Sequence, residues 1–106
     1  MDKRLYGYVG RVLWVDLTKE SVRVRPLDEE LARRYVGGKG LGAKIIHEAA
    51  PPKVDPFDPL NPLILATGPV NGLALSGAAK FCAVFKSPLT DGWGESQCGG
   101  FFAPHL

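Results

Sequence analysis

The chain has 106 residues, enough for one domain with a modest core, and its 45% apolar and 23% charged residues exclude a disordered protein. A net charge of +2 is too small to argue for nucleic-acid or membrane binding, and no apolar run is long enough to span a bilayer. Two cysteines sixteen positions apart make neither a disulfide framework nor a metal knuckle, which points to a cytoplasmic protein with free thiols.

Met1-Asp2-Lys3-Arg4 opens the chain without a signal-peptide pattern. Residues 8–17 alternate imperfectly, with Val9, Leu13, Val15 and Leu17 on one face and Val12, Trp14 and Asp16 on the other. Residues 21–25 alternate cleanly, with Val22 and Val24 inward and Arg23 and Arg25 outward. The polar link Thr18-Lys19-Glu20 makes the pair an antiparallel hairpin. Pro26 stops the second strand. Asp28 is then placed to cap a helix, with Glu29 and Glu30 in its first turn and Arg33 and Arg34 four residues on. Gly37-Gly38 ends that helix through a left-handed residue. A second helix is predicted from about Leu41 to Ala49, closed by Pro51-Pro52.

Five prolines between positions 51 and 62 predict an extended, stiff connector. Leu63-Ile64-Leu65-Ala66 reads as a strand buried on both faces, and residues 81–85 as the last clear strand. The remainder, to Leu106, reads as a loop rich in glycine and small polar residues. All but four of the charged residues (Lys80, Lys86, Asp91 and Glu95) lie in positions 1–58, so the second half is expected to be buried or to face a partner or cofactor. The order ββααββ plus a tail predicts an α+β fold, mainly antiparallel sheet with two short helices, in one domain over residues 1–106.

Residues 38–43 carry a GxGxxA spacing, but a helix precedes it and no acidic residue closes a second strand, so the dinucleotide-binding reading is weak. The alternatives are a plain helix junction or helix-start amides that meet an anion. His47 and His105 have no ligand-spaced partner, and His47 with Glu48 reads as a helix-surface pair. Cys82 reads as a small buried hydrophobe. Cys98 reads either as a small residue in the place of serine or as a thiol whose neighbouring glycine amides favour the thiolate. Asp91 and Glu95 are close enough in sequence to pair, but nothing marks them as an acid–base couple.

Several stretches in order resemble the amino-terminal domain of the tungsten-containing aldehyde ferredoxin oxidoreductase family. They are Gly10-Arg11-Val12 with Val15-Asp16-Leu17-Thr18, LDEEL at 27–31, GGKGLGAK at 37–44, DPLNPLILATGP at 58–69 and, above all, KSPLTDGWGESQCGGFFAPHL at 86–106. The resemblance implies about half of that β-rich domain. It also implies a tungsten or molybdenum centre held by two pterins whose phosphates a magnesium ion bridges. In the family, aldehydes become carboxylic acids and electrons pass through a [4Fe–4S] cluster to ferredoxin.

Carried over by position, a cofactor-contacting arginine falls on Lys80. An asparagine holding cofactor and magnesium falls on Gln97, and a glycine whose backbone approaches the pterin on Gly99, with Cys98 and Gly100 in the same segment. Lys80 for arginine exchanges a bidentate fork for a point charge. Gln97 places its amide one methylene farther out, Cys98 replaces serine, and Lys39 replaces another arginine. The cluster ligands and catalytic groups belong to later domains of the family, so this chain alone is not expected to be catalytically competent. It implies further domains or subunits and ferredoxin as partners. Apolar surface left uncovered is expected to drive self-association. The alternative is a structural or interaction protein that keeps the fold with a decayed cofactor site.

Overall fold

The structure, a computed structural model, describes residues 6–106; the start of the chain, residues 1–5, where a signal peptide was sought, lies outside the described residues. The elements are β1 (Arg11–Asp16), β2 (Ser21–Pro26), α1 (Glu29–Tyr35), α2 (Gly38–Ala49), β3 (Ile64–Ala66), β4 (Phe81–Lys86), β5 (Trp93–Cys98) and α3 (Phe102–His105). They form an antiparallel β1-β2 hairpin and an antiparallel sheet of order β3-β4-β5. This is the expected α+β class, with a third short helix added.

The hairpin turns where Asp16 accepts from the amides of Thr18 and Lys19, at 3.0 and 3.1 Å. Its register sets Leu13 opposite Val24 and Val15 opposite Val22, so all four side chains share one face. That face is open: the four are 54–63% exposed. Val22 and Val24 therefore do not point into a core as expected. Alternation reports which residues share a face, and here no described element covers it. On the other face the Arg25 guanidinium lies 4.6 Å from the Trp14 ring centroid.

Asp28 caps α1 by accepting from the Glu30 amide at 3.1 Å, and the Glu29–Arg33 and Glu30–Arg34 pairs form at 2.9 and 3.1 Å. Exposed, each pair is worth about 0.3–0.5 kcal/mol. The helix end differs from expectation. The positive φ falls on Val36 (φ 64, ψ −64), and the Gly37 amide bonds to the Tyr35 carbonyl at 2.7 Å, making a γ-turn. Gly37 is extended and serves close approach instead: a Cβ there would meet the Thr67 carbonyl oxygen at 2.6 Å.

Helix α2 starts three residues before the expected position, because its glycines serve packing. A Cβ on Gly40 would strike the Tyr35 carbonyl oxygen at 2.6 Å, and one on Gly42 would strike Val84 Cγ2 at 2.5 Å. The helix lies on the sheet face that carries Ala66, Cys82 and Val84, the buried cluster, with Ile64 packed beside it. The opposite face of β3 is open, with Leu65 43% exposed, so the strand is not buried on both sides as expected.

The main correction concerns the tail. Residues 93–98 are a full strand paired along β4, not a loop. The Phe85 ring fills the space beside Gly94, where a Cβ would come within 2.5 Å of it. That contact is long-range and has no local signature. The proline-rich connector is also less extended than expected. Asp55 and Asp58 each cap a tight turn, and the Asn61 side chain bonds to the Pro56 carbonyl (2.9 Å), the Lys86 carbonyl (3.1 Å) and the Lys86 amide (3.2 Å). The connector is thereby tied to β4.

Candidate functional site

In an antiparallel pair, directly opposed residues project to the same face. Cys82 opposes Gln97, and Val84 opposes Glu95, so Gln97 and Glu95 share the face on which α2 lies. The main contacts of α2 with the sheet are to β3 and β4, so this side of β5 meets it chiefly through the Lys39 side chain. The start of α2 and the neighbouring end of the sheet enclose an open cleft of about 300 Å³. Its apolar floor is Ala66 and Cys82; Phe81 also lines the cleft, but its side chain, opposite Cys98, projects to the other face of the sheet, where it packs on Phe102. Backbone of Gly37, Gly38 and Gly68 forms one wall, and Lys39, Lys80 and Gln97 supply the polar groups.

Two predicted residues, Lys80 and Gln97, thus meet in one cleft. Lys39 joins them and forms an ion pair with Glu95 at 3.6 Å. Cys82 is buried in the floor as expected, and burial pushes its thiol pKa up, with the Glu95 carboxylate adding to the effect. Cys98, Gly99 and Gly100 are exposed and do not line the cleft. Cys98 follows Gln97 in the strand and opposes Phe81, so its side chain projects to the other face. Its thiol donates to the Gly99 carbonyl oxygen at 3.3 Å and does not meet the glycine amides.

Several other groups are accounted for elsewhere. Asp91 pairs with Lys86 at 3.2 Å, while Glu95 pairs with Lys39, so the two carboxylates do not act together. His47 is exposed, and its neighbour Glu48 pairs with Lys44 at 2.7 Å. Glu95, Gly37 and Gly68 carry no sign of the site in the sequence, whereas the run at 38–43 leaves open helix-start amides that meet an anion. The signal that was available is the GGKG run at a helix start, which needs its strand neighbours before it can be read as a wall.

The profile of the aldehyde ferredoxin oxidoreductase, N-terminal domain, matches residues 12–106. The chain belongs to that family. It is 36% identical over 102 residues to a tungsten-containing aldehyde ferredoxin oxidoreductase of Pyrococcus abyssi, covering 96% of this chain and 17% of the relative. It is 37% identical over 91 residues to the aliphatic sulfonate oxidoreductase, WOR-like subunit, of Pyrococcus furiosus, covering 83% of this chain and 14% of that one. A chain of the active-site complex BamBC of benzoyl coenzyme A reductase, solved with 1,5-dienoyl-CoA, superposes with a TM-score of 0.89 at 40% identity. It covers 93% of this chain and 15% of its own. The chain therefore spans about one sixth of the relatives it matches. Among the described residues no helix is long and apolar enough to cross a membrane.

The cleft suits one anionic arm of a pterin cofactor. Two lysines offset charge, glycine backbone permits close approach, Gln97 offers an amide, and the apolar floor suits a flat ring. At about 300 Å³ it lies at the lower end of small-molecule pockets, so it takes part of a large cofactor only. These residues do not make a cation site by themselves: Gln97 is neutral, Glu95 is held by Lys39, and no group of three His, Cys, Asp or Glu side chains able to hold a metal occurs among the described residues. A magnesium ion here would need phosphate oxygens among its ligands.

Proposed function

We propose that this chain is the cofactor base of a larger tungsten-containing oxidoreductase, with Lys80, Lys39 and Gln97 holding a phosphate-bearing arm of the pterin. The single observation that carries the reading is the convergence of both lysines, Gln97 and the glycine backbone on one cleft, within a chain that belongs to this family. Lys80 neutralises the anion as a point charge, and Lys39 leaves Glu95 to do the same. Gln97 donates its amide. Gly99 and Gly100 follow Cys98 outside the cleft, with only chain neighbours within 4 Å of a Cβ on either, so their backbone would be open to a part of the cofactor that extends past Gln97. When bound, the tungsten–pterin group supplies two-electron redox chemistry; the residues here bind it, orient it and keep water from one side.

In this reading further domains supply the substrate channel, the [4Fe–4S] ligands and the docking surface for ferredoxin, and the reaction is aldehyde to carboxylic acid. The free thiols suit a cytoplasmic location. Gln97 would stand beside a magnesium ion accompanying the pterin phosphates, whose charge that ion would offset. The open apolar face of the hairpin supports self-association of the chain when other domains are missing.

A second reading follows from the benzoyl coenzyme A reductase likeness, whose 40% identity exceeds the 36–37% to the aldehyde and sulfonate enzymes. It makes the whole protein a reductase of aromatic acyl-thioesters on the same cofactor base. Assay of the full-length protein with an aldehyde and with an aromatic acyl-CoA separates the two. The base itself is tested by tungsten and pterin content. Full-length protein with Lys80→Ala and Gln97→Ala is expected to lose most of both, and undiminished content would refute the assignment.

A further inference from the structure

The segment before β1 touches both turns that bound the cleft. A Cβ on Gly7 would meet the Pro69 carbonyl oxygen at 2.6 Å, so this glycine lies directly on the 67–69 turn. Tyr8 donates its hydroxyl to the Val36 carbonyl oxygen, with the Ala32 carbonyl oxygen 3.4 Å away. The two turns are joined by the Gly38 amide, which donates to the Thr67 carbonyl at 2.9 Å.

Val36 is in an unusual state. A β-branched residue at φ 64, ψ −64 occupies a conformation that L side chains avoid, and one that persists only where the surroundings over-determine it. Two glycines follow immediately: Gly38 already has a positive φ of 54, and Gly37, which is extended, would take one at no steric cost. The local sequence therefore does not explain why the strain sits on Val36. Three contacts act on this turn: the Gly37 amide on Tyr35, the Gly38 amide on Thr67 and, from a distant segment, the Tyr8 hydroxyl on the carbonyl of the peptide leaving Val36.

We propose that Tyr8 is a positioning residue for the cleft: its hydroxyl pins the Val36 γ-turn, and the pinned turn sets the wall formed by residues 37–39. The functional half of this rests on the reading of the cleft as an anion site. With the turn pinned, Gly37 packs against the Thr67 carbonyl, Gly38 donates to that same oxygen, and Lys39 stands at the cleft mouth beside Glu95. Without it the positive φ can move to Gly37, which would pull that glycine off the 67–69 turn and shift Lys39 relative to Lys80.

The test uses cofactor-free full-length protein carrying Tyr8→Phe, Val36→Gly or both, with two readouts: amide hydrogen exchange over residues 36–39 and calorimetric binding of inorganic pyrophosphate. Tyr8→Phe is expected to speed exchange at Gly37 and Gly38 and to weaken pyrophosphate binding about fivefold, the equivalent of one net hydrogen bond. In the Val36→Gly background the same change should have a smaller effect on both, because glycine holds a positive φ without help. Equal effects in the two backgrounds would show a merely structural tyrosine and overturn the proposal, as would unchanged exchange in Tyr8→Phe. If the unmutated protein binds no pyrophosphate while Tyr8→Phe still speeds exchange, the anion reading falls and the pinned turn stands.

Discussion

Gly42→Ala tests the packing that positions the cleft. Helix propensity alone favours alanine by about 1 kcal/mol. Against this, the new methyl would lie 2.5 Å from Cγ2 of Val84, which has no exposed surface and is hemmed in by Ala66, Cys82 and Ile64. Overpacking of this kind costs about 1–3 kcal/mol, and the upper part of that range applies where the neighbour cannot retreat. The expected net loss is about 2 kcal/mol, or a fall of about 8–16 °C in Tm for a domain of this size. Thermal unfolding followed by circular dichroism measures it. Val84→Ala removes the clashing methyl, so the double variant should lose at least about 1 kcal/mol less than the sum of the singles. An unchanged or raised Tm in Gly42→Ala would mean that α2 does not sit on β4 as described, and the cleft wall at its start would lose its support.

The other expectations concern the connector, the thiols and the hairpin. Asn61→Ala removes three hydrogen bonds, two of which tie the connector to β4, so a loss of about 2–3 kcal/mol in urea unfolding is expected, and Asn61→Asp should be nearly as harmful because the amide donor goes. Cys98 should react with a thiol reagent at once in native protein, and Cys82 only on unfolding; mass spectrometry of the labelled peptides checks the order. Burial raises the Cys82 pKa in the folded state, so the unfolded chain deprotonates first as pH rises. Stability from this thiol is therefore full below its ordinary pKa of 9.0 and lost above it, a decline that Cys82→Ala should abolish. Val22→Glu places a charge in the open hairpin face, so the self-association proposed for the isolated chain should weaken at least about tenfold by sedimentation; association of equal strength, or none in the unmutated chain, would refute a role for this face.

The parts of the fold legible in the sequence are those with short-range causes. Asp28 and the Glu–Arg spacing mark α1, and two alternating runs around Thr18-Lys19-Glu20 mark the hairpin, because caps and periodicity act within a few residues. What was not legible depends on contacts across the fold. Strand β5 pairs along the whole of β4 and lays Gly94 against the Phe85 ring, and the first turns of α2 place Gly40 and Gly42 against Tyr35 and Val84. Val36 takes a strained φ beside two glycines, and one of the contacts on that turn comes from Tyr8, twenty-eight residues away.

The candidate site divides in the same way. Lys80 and Gln97 were visible through family resemblance, and the structure sets them in one cleft. Lys39 was visible in the same way, as the counterpart of another family arginine, but its pairing with Glu95 depends on how α2 lies against the sheet. Strand geometry separates Gln97 from Cys98, since consecutive residues of β5 face opposite ways. No spacing rule shows this while the segment reads as a loop.

The most direct measurement is a crystal structure of the full-length protein loaded with its cofactor, with the tungsten located by its anomalous scattering. The account expects pterin phosphate density in the cleft between α2 and β5, in contact with Lys80 and with Lys39 drawn away from Glu95. Phosphates lying on the Cys98 face of the sheet, or a cleft filled by protein from another domain, would contradict it.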